Sequence, residues 1–213
     1  MTGYIQSVEL ILKHRKFKVI SKYKFLHSDS FWQLPSSNDS QFSPDITPLQ
    51  LACQLNNLKI VRILLNLGYR IEKPHELHCK CNECYNRLKF DSVRHAHVRL
   101  NTYKGITSDA YVSLTSEDPI LTCFSLRQEV LFLAKKENMF KNDYLKMADS
   151  LSDFTFKLLD NIRGNDELNV ILNKTGTESE EKFHPLARLD LAIRNQEKLV
   201  FIFKLKLLFK YTK

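Results

Sequence analysis

Four side chains of the metal-ligating kind stand within ten residues of this chain: His75, Cys79, Cys81 and Cys84, in the run PHELHCKCNEC. Three of the chain's five cysteines fall in this stretch. No other feature restricts the fold so tightly. If the four share one ion, the backbone turns back on itself between residues 75 and 84, and the segments before and after are pinned at one point. Thiolate and imidazole are the ligands Zn²⁺ prefers, and a closed tetrahedral site takes four. The spacing His-x3-Cys-x-Cys-x2-Cys is not the C-x2-C…H-x3-5-H layout of a DNA-binding finger. Cys-x-Cys puts two thiolates on a tight turn, and Cys-x2-Cys closes the loop around the ion. On spacing alone either His75 or His78 can supply the imidazole. Four protein ligands leave no open position, so the expected ion is structural rather than catalytic. Structural zinc contributes about 10–16 kcal/mol in small zinc peptides, ample to order a loop of this length. The competing reading is a set of free surface thiols, which Lys80 and Arg87 would make prone to oxidation by favouring the thiolate.

Metal rather than disulfide is the expectation because the N-terminus, MTGYIQSVELILKHRKF, lacks the layout of an export signal: Glu9 breaks the apolar stretch and no small-residue cleavage site follows. Clustered cysteines then read as a metal site in a reducing, cytosolic setting. No run of 18 apolar residues is present, so no transmembrane helix is expected. A chain of 213 residues with 43% hydrophobic and 26% charged residues has enough material for one or two buried cores. Only 5 glycines and 6 prolines, among many Leu, Lys and Asn, favour helices. The net charge of +8 is unevenly spread: about +4 over residues 1–30, +3 over 75–104, +5 over the last twenty and −5 over 105–193. A nucleic-acid surface would need a more continuous basic stripe interleaved with aromatics, so no nucleic-acid partner is expected.

Residues 45–73, DITPLQLACQLNNLKIVRILLNLGYRIEK, read as two short helices joined by a turn. Thr47 can cap, and Pro48 suits the first helical position. Leu49, Leu51, Ala52 and Leu55 are expected to form the first packing face. After an Asn56-Asn57 break the second helix brings Ile60, Val61, Ile63, Leu64 and Leu65, and Gly68 supplies a left-handed stop. This unit resembles an ankyrin repeat, with TPLQLA standing where the repeat has T-P-L-H-x-A and Gln50 replacing the His. Residues 4–14 look like the second helix of an earlier repeat, with Val8, Ile11 and Leu12 packing and a Glu9–Lys13 pair on its surface. One and a half repeats cannot stack stably alone, so the chain reads as beginning inside an array. Residues 28–45, rich in Ser, Asp, Asn and Pro, are expected to form a surface loop.

Beyond the cysteines, residues 91–101 suggest a short basic helix. Asp118-Pro119 opens a helix running to about Asn138. A third helix, about Phe140 to Ile162, carries Phe140, Tyr144, Met147, Leu151, Phe154 and Leu158 at alternating spacings of four and three. That seam suits packing along a partner helix, most simply within the same core. Shorter helices are expected at residues 165–173 and 184–195, with an acidic loop at 175–181 between them. The tail from Leu199, LVFIFKLKLLFKYTK, is too short and too charged to span a bilayer. It suits a membrane surface, or the divergent end of a truncated gene product. No enzyme is expected. Cys123 lies on an apolar helix face with Ile120, Leu121 and Phe124, and Cys53 follows Ala52, so both read as core thiols. His95 and His97 are expected to flank the basic helix as solvated or capping residues rather than catalytic ones.

One family brings these segments together. The chain is similar, from Asp45 to about Leu199, to the cytosolic N-terminal region of the C-type (short) transient receptor potential cation channels. The resemblance is carried by FSPDITPL (42–49), RIEKPHELHCKCNEC (70–84), DSVRHAHVRLNTYKG (91–105), LTSEDPILTCF (114–124), FKNDY (140–144), LLDNIR (158–163), ILN (171–173) and HPLARLDLAIRNQEK (184–198). It implies an all-α fold: ankyrin helix pairs over residues 1–74, a zinc-stapled loop and connecting helix over 75–105, linker helices over 106–198 and a divergent tail over 199–213. It implies a structural Zn²⁺ held by His75, Cys79, Cys81 and Cys84, with His78 a bystander. It implies partners, namely other subunits of a homo- or heterotetramer, with membrane-surface and regulatory-protein contacts besides. The expected place is the cytosolic face of the plasma membrane, as the assembly and regulatory region of a receptor-operated, calcium-permeable channel. The family's early repeats, six transmembrane helices and pore have no counterpart in this sequence, so the chain reads as a fragment that cannot itself conduct ions. The alternative is a free ankyrin-type adaptor with a structural zinc loop.

Overall fold

The computed structural model describes residues 2–15 and 46–161. Among these residues all regular structure is helical. The chain forms two compact units, Met1–Ile106 and Thr107–Lys213.

In the first unit, α1 spans Thr2–Lys13, α2 Pro48–Gln54 and α3 Leu58–Asn66. Thr47 caps α2 through a reciprocal pair of bonds: Gln50 N–H donates to Thr47 Oγ1 at 3.2 Å, and Thr47 N–H donates to Gln50 Oε1 at 2.9 Å. This is a capping box with Gln in the usual third helical place, and Pro48 occupies a position where no N–H is needed. Asn57 caps α3 by accepting from Ile60 N–H. The chain leaves α3 through Gly68 at φ 89°, the left-handed stop expected there. Leu49, Ala52 and Cys53 share one face of α2 and are buried, as are Val61, Leu64 and Leu65 of α3. Leu55, expected on the packing face, is 72% exposed, because it ends α2 on the side away from that face. The α1 helix lies against α3, with Val8 and Leu12 half-buried, but Ile11 is exposed, contrary to expectation.

Two further helices are described in this unit: α4, Asn82–Phe90, and α5, Ser92–Ile106. The first was not expected, and the second runs five residues past the basic helix expected to end at 101. Only Asp91 separates them, and its carboxylate accepts from Arg94 N–H at 2.9 Å to start α5. The C-terminal half of α5 is buried and packs on α2. There Gln50 Nε2 donates to Thr102 Oγ1 at 3.2 Å and Gln54 Nε2 to the Asn101 carbonyl at 3.3 Å.

The second unit holds α6, Asp109–Thr115, α7, Pro119–Lys136, a 3₁₀ turn at Asn138–Phe140, and α8, Lys141–Asp160. The short α6 was also not expected. Asp118 caps α7 by accepting from Leu121 N–H at 3.2 Å, with Pro119 in the first turn, as the sequence implies. The seam on α8 packs within the chain against α7: Tyr144, Met147, Leu151 and Phe154 are buried with Cys123, Phe124, Leu126, Val130 and Leu133. At the closed end of this hairpin the Tyr144 hydroxyl donates to Glu137 Oε2 at 2.7 Å. No described helix is long and apolar enough to cross a membrane. The loop at 28–45, the helices at 165–173 and 184–195, the acidic loop at 175–181 and the tail from Leu199 lie outside the described residues.

Candidate metal centre

After Gly68 the chain runs through Ile71 and Pro74 without regular structure and delivers His75 to the site. A turn follows in which Cys79 N–H donates to the Glu76 carbonyl at 3.0 Å, bringing Cys79 round toward His75. Two residues on, Cys81 stops being loop and becomes the N-cap of α4. Its sulfur accepts from the Cys84 N–H at 3.4 Å, the role a Ser or Asp oxygen normally fills. Cys84 therefore sits in the first turn of a helix. The Cys-x2-Cys spacing is the spacing of a cap residue from the third residue it caps, and that was the available signal for α4. Glu83 and Arg87, paired at 2.6 Å across one turn of α4, were a second.

The four side chains come together. Nδ1 of His75 lies 3.5 Å from Cys79 Sγ, 3.4 Å from Cys81 Sγ and 3.4 Å from Cys84 Sγ. All four donor atoms fall within 4.8 Å of one another. An ion bound tetrahedrally at about 2.0–2.1 Å from nitrogen and about 2.3 Å from sulfur sets the nitrogen–sulfur edge at roughly 3.6 Å. The three Nδ1–Sγ distances match that edge, so the group has the size and donor chemistry to hold a metal ion. His78 is exposed and outside the group.

Burial grades across the cluster: His75 is exposed, Cys79 and Cys81 are half-buried, and Cys84 is buried. The backbone N–H of Cys84, then the side chains of Cys84, Cys79 and His75, pull the Cys81 thiol down to about 6. Burial, then the neighbouring Cys81 and Cys79 sulfurs, push the Cys84 thiol up to about 12. The positive end of α4 thus favours one thiolate at the rim, while the inner sulfur stays protonated until a cation replaces its proton. Of the remaining sulfurs, Cys53 and Cys123 are buried at 0% and 1% exposure, as core thiols should be. His95 and His97 lie within α5 rather than beside it.

Comparison with known proteins gives two family matches. The ankyrin repeat matches residues 45–74 and the transient receptor ion channel II family residues 79–141. The four-ligand cluster straddles the join. The chain is 39% identical to short transient receptor potential channel 3 of Homo sapiens over 208 residues, covering 92% of this chain and 22% of that protein. It is 38% identical to short transient receptor potential channel 4 of Mus musculus over 197 residues, covering 91% of this chain and 20% of that protein. The chain therefore spans about a fifth of the length of the curated relatives it matches. By name these relatives are channels, not enzymes.

Proposed function

Because the chain belongs to the short transient receptor potential channel family over the stretch it spans, we propose that it serves as a cytosolic assembly and regulatory region of a receptor-operated, calcium-permeable cation channel. The observation that carries this reading is the succession of ankyrin repeat and channel-family segment, with 38–39% identity to short transient receptor potential channels along some nine-tenths of the chain. In this reading the helices contact other subunits of a tetramer on the cytosolic side of the plasma membrane, with membrane-surface and regulatory-protein contacts besides, and conduction belongs to other segments. Co-precipitation tests it: a membrane-anchored full-length short channel subunit should retain this chain, and deleting residues 46–106 should abolish retention. A chain that stays free in the presence of such subunits would instead be acting as an ankyrin-type adaptor.

We infer further that His75, Cys79, Cys81 and Cys84 hold one structural Zn²⁺. One imidazole and three thiolates suit zinc's preference for nitrogen and sulfur in a tetrahedron, and four protein ligands close the coordination sphere. The ion would supply no reaction. It would replace a hydrophobic core in a stretch where nearly every other side chain is exposed. Metal analysis of the purified chain should find about one zinc per chain, lost in Cys81→Ser. A folded, metal-free wild type would remove the assignment.

A further inference from the structure

Beyond Cys84 the chain stays at the surface. Every residue from Tyr85 to Arg94 is exposed, across the rest of α4, Asp91 and the first three residues of α5. Past its first turn α4 therefore meets solvent on all sides, as a convex ridge rather than the wall of a groove. Four large apolar side chains stand on it. Tyr85 and Leu88 lie one turn apart on α4, and Phe90 and Val93 flank the elbow at Asp91. Phe90 is 80% exposed, more than any other large hydrophobic among the described residues. Single exposed apolar residues are ordinary, but four within nine positions call for a covering partner.

The charge on the ridge says which kind. Lys80, Arg87, Lys89 and Arg94 stand against two acids, Glu83 and Asp91. Both acids are engaged locally: Glu83 pairs with Arg87, and Asp91 accepts from Arg94 N–H. The Lys89 ammonium sits 5.9 Å from the Phe90 ring centroid, so cation and aromatic share one spot on the surface. Zinc on three thiolates, as inferred above, would add one negative charge at the far end of α4 and leave the balance positive. An acidic protein would match that charge but would have to wrap a ridge open on all sides. A fluid anionic bilayer accepts a convex ridge as it is. Aromatic and leucine side chains settle at the boundary of headgroups and acyl chains, while Lys and Arg stems reach back to the phosphates.

We propose that the ridge from Tyr85 to Arg94 is a docking surface for an anionic lipid bilayer, with Tyr85, Leu88, Phe90 and Val93 entering the headgroup boundary and Lys80, Lys89 and Arg94 meeting lipid phosphates. The proposal names the place of the membrane-surface contact in the reading above and rests on that reading. The tail from Leu199 also suits a membrane surface by sequence, so the test reads the ridge locally. In the full chain, Trp32→Phe removes the one native tryptophan and Phe90→Trp places a reporter on the ridge. Phosphatidylcholine vesicles holding about 30% phosphatidylserine should shift the reporter's emission to the blue, and brominated acyl chains should quench it. Vesicles of phosphatidylcholine alone should do neither. Lys80→Glu with Lys89→Glu should weaken the titration about tenfold or more, whereas the same pair of changes at the exposed Lys135 and Lys136 of α7 should cost less than about threefold. The proposal is overturned if anionic vesicles leave the reporter unmoved, if phosphatidylcholine alone moves it as far, or if the α7 pair costs as much. A blue shift from poly-glutamate or from concentrating the protein, with none from vesicles, would make the ridge a protein-binding face and overturn it too. These outcomes involve no channel subunit. They differ from failure of the reading above, which would show as a chain that a membrane-anchored subunit does not retain.

Discussion

At Gln50 one amide performs two roles. Its oxygen closes the capping box on Thr47 N–H, and its nitrogen reaches Thr102 on α5. With the side chain 3% exposed, neither partner is easily replaced by water. Gln50→Leu should cost about 1–3 kcal/mol in chemical denaturation, since the half-buried Thr47 N–H and the buried Thr102 hydroxyl each lose their partner on Gln50. Thr47→Ala should cost about 0.5–2 kcal/mol, the value of a helix cap. Gln in place of His at this position thus serves both a local cap and a distant contact, and the second is visible only in the fold. The cysteines carry a chemical prediction. In metal-free protein Cys81, drawn down to about 6, is largely thiolate at neutral pH, whereas Cys84, pushed up to about 12, stays a thiol. Timed alkylation read by mass spectrometry should modify Cys81 before Cys84, with the Cys81 rate falling as pH drops through about 6. Bound zinc should protect both.

Among the elements, the helices with a clear apolar period or a Pro-marked start were legible: α2, α3, α7 and α8 stand close to where the sequence puts them. The unexpected α4 has a different character. Cys84 is its one buried residue, and Tyr85, Leu88 and Phe90 are exposed, so it presents no apolar stripe for periodicity to find. A sulfur cap, the Glu83–Arg87 pair and the cluster hold it, and only the first two leave a trace in spacing. The α7–α8 hairpin is the opposite case, with a core built from its own two helices. Tyr144→Phe should cost about 1–2 kcal/mol, since the buried ring keeps its packing and loses the hydroxyl's bond to the half-buried Glu137. At the end of α3, Gly68→Ala should cost roughly 1–2 kcal/mol, because φ 89° forces the new β-carbon against the backbone. Thermal denaturation measures both.

For the whole molecule, the two units differ in what holds them. The second closes over Tyr144, Phe124, Leu151 and Val130. The first unit joins a repeat to a largely exposed stretch around the four-ligand cluster. With zinc held there as proposed, its binding would be folding free energy, so a chelator should act regionally. Hydrogen exchange should speed up across residues 75–106 when zinc is stripped and stay unchanged across 119–160. Uniform change over both stretches would contradict this division.

The sequence alone determined the helical class, the repeat, the channel-family likeness and the pool of metal-type ligands. Each is written in residue identity or in spacings of a few residues, and such signals survive without neighbours. Only the tertiary structure decided that Leu55 turns to solvent and that the C-terminal half of α5 is buried against α2. Those outcomes depend on contacts between residues far apart in the chain. The partner of Gln50 stands 52 residues away at Thr102, well beyond the reach of any period in the sequence.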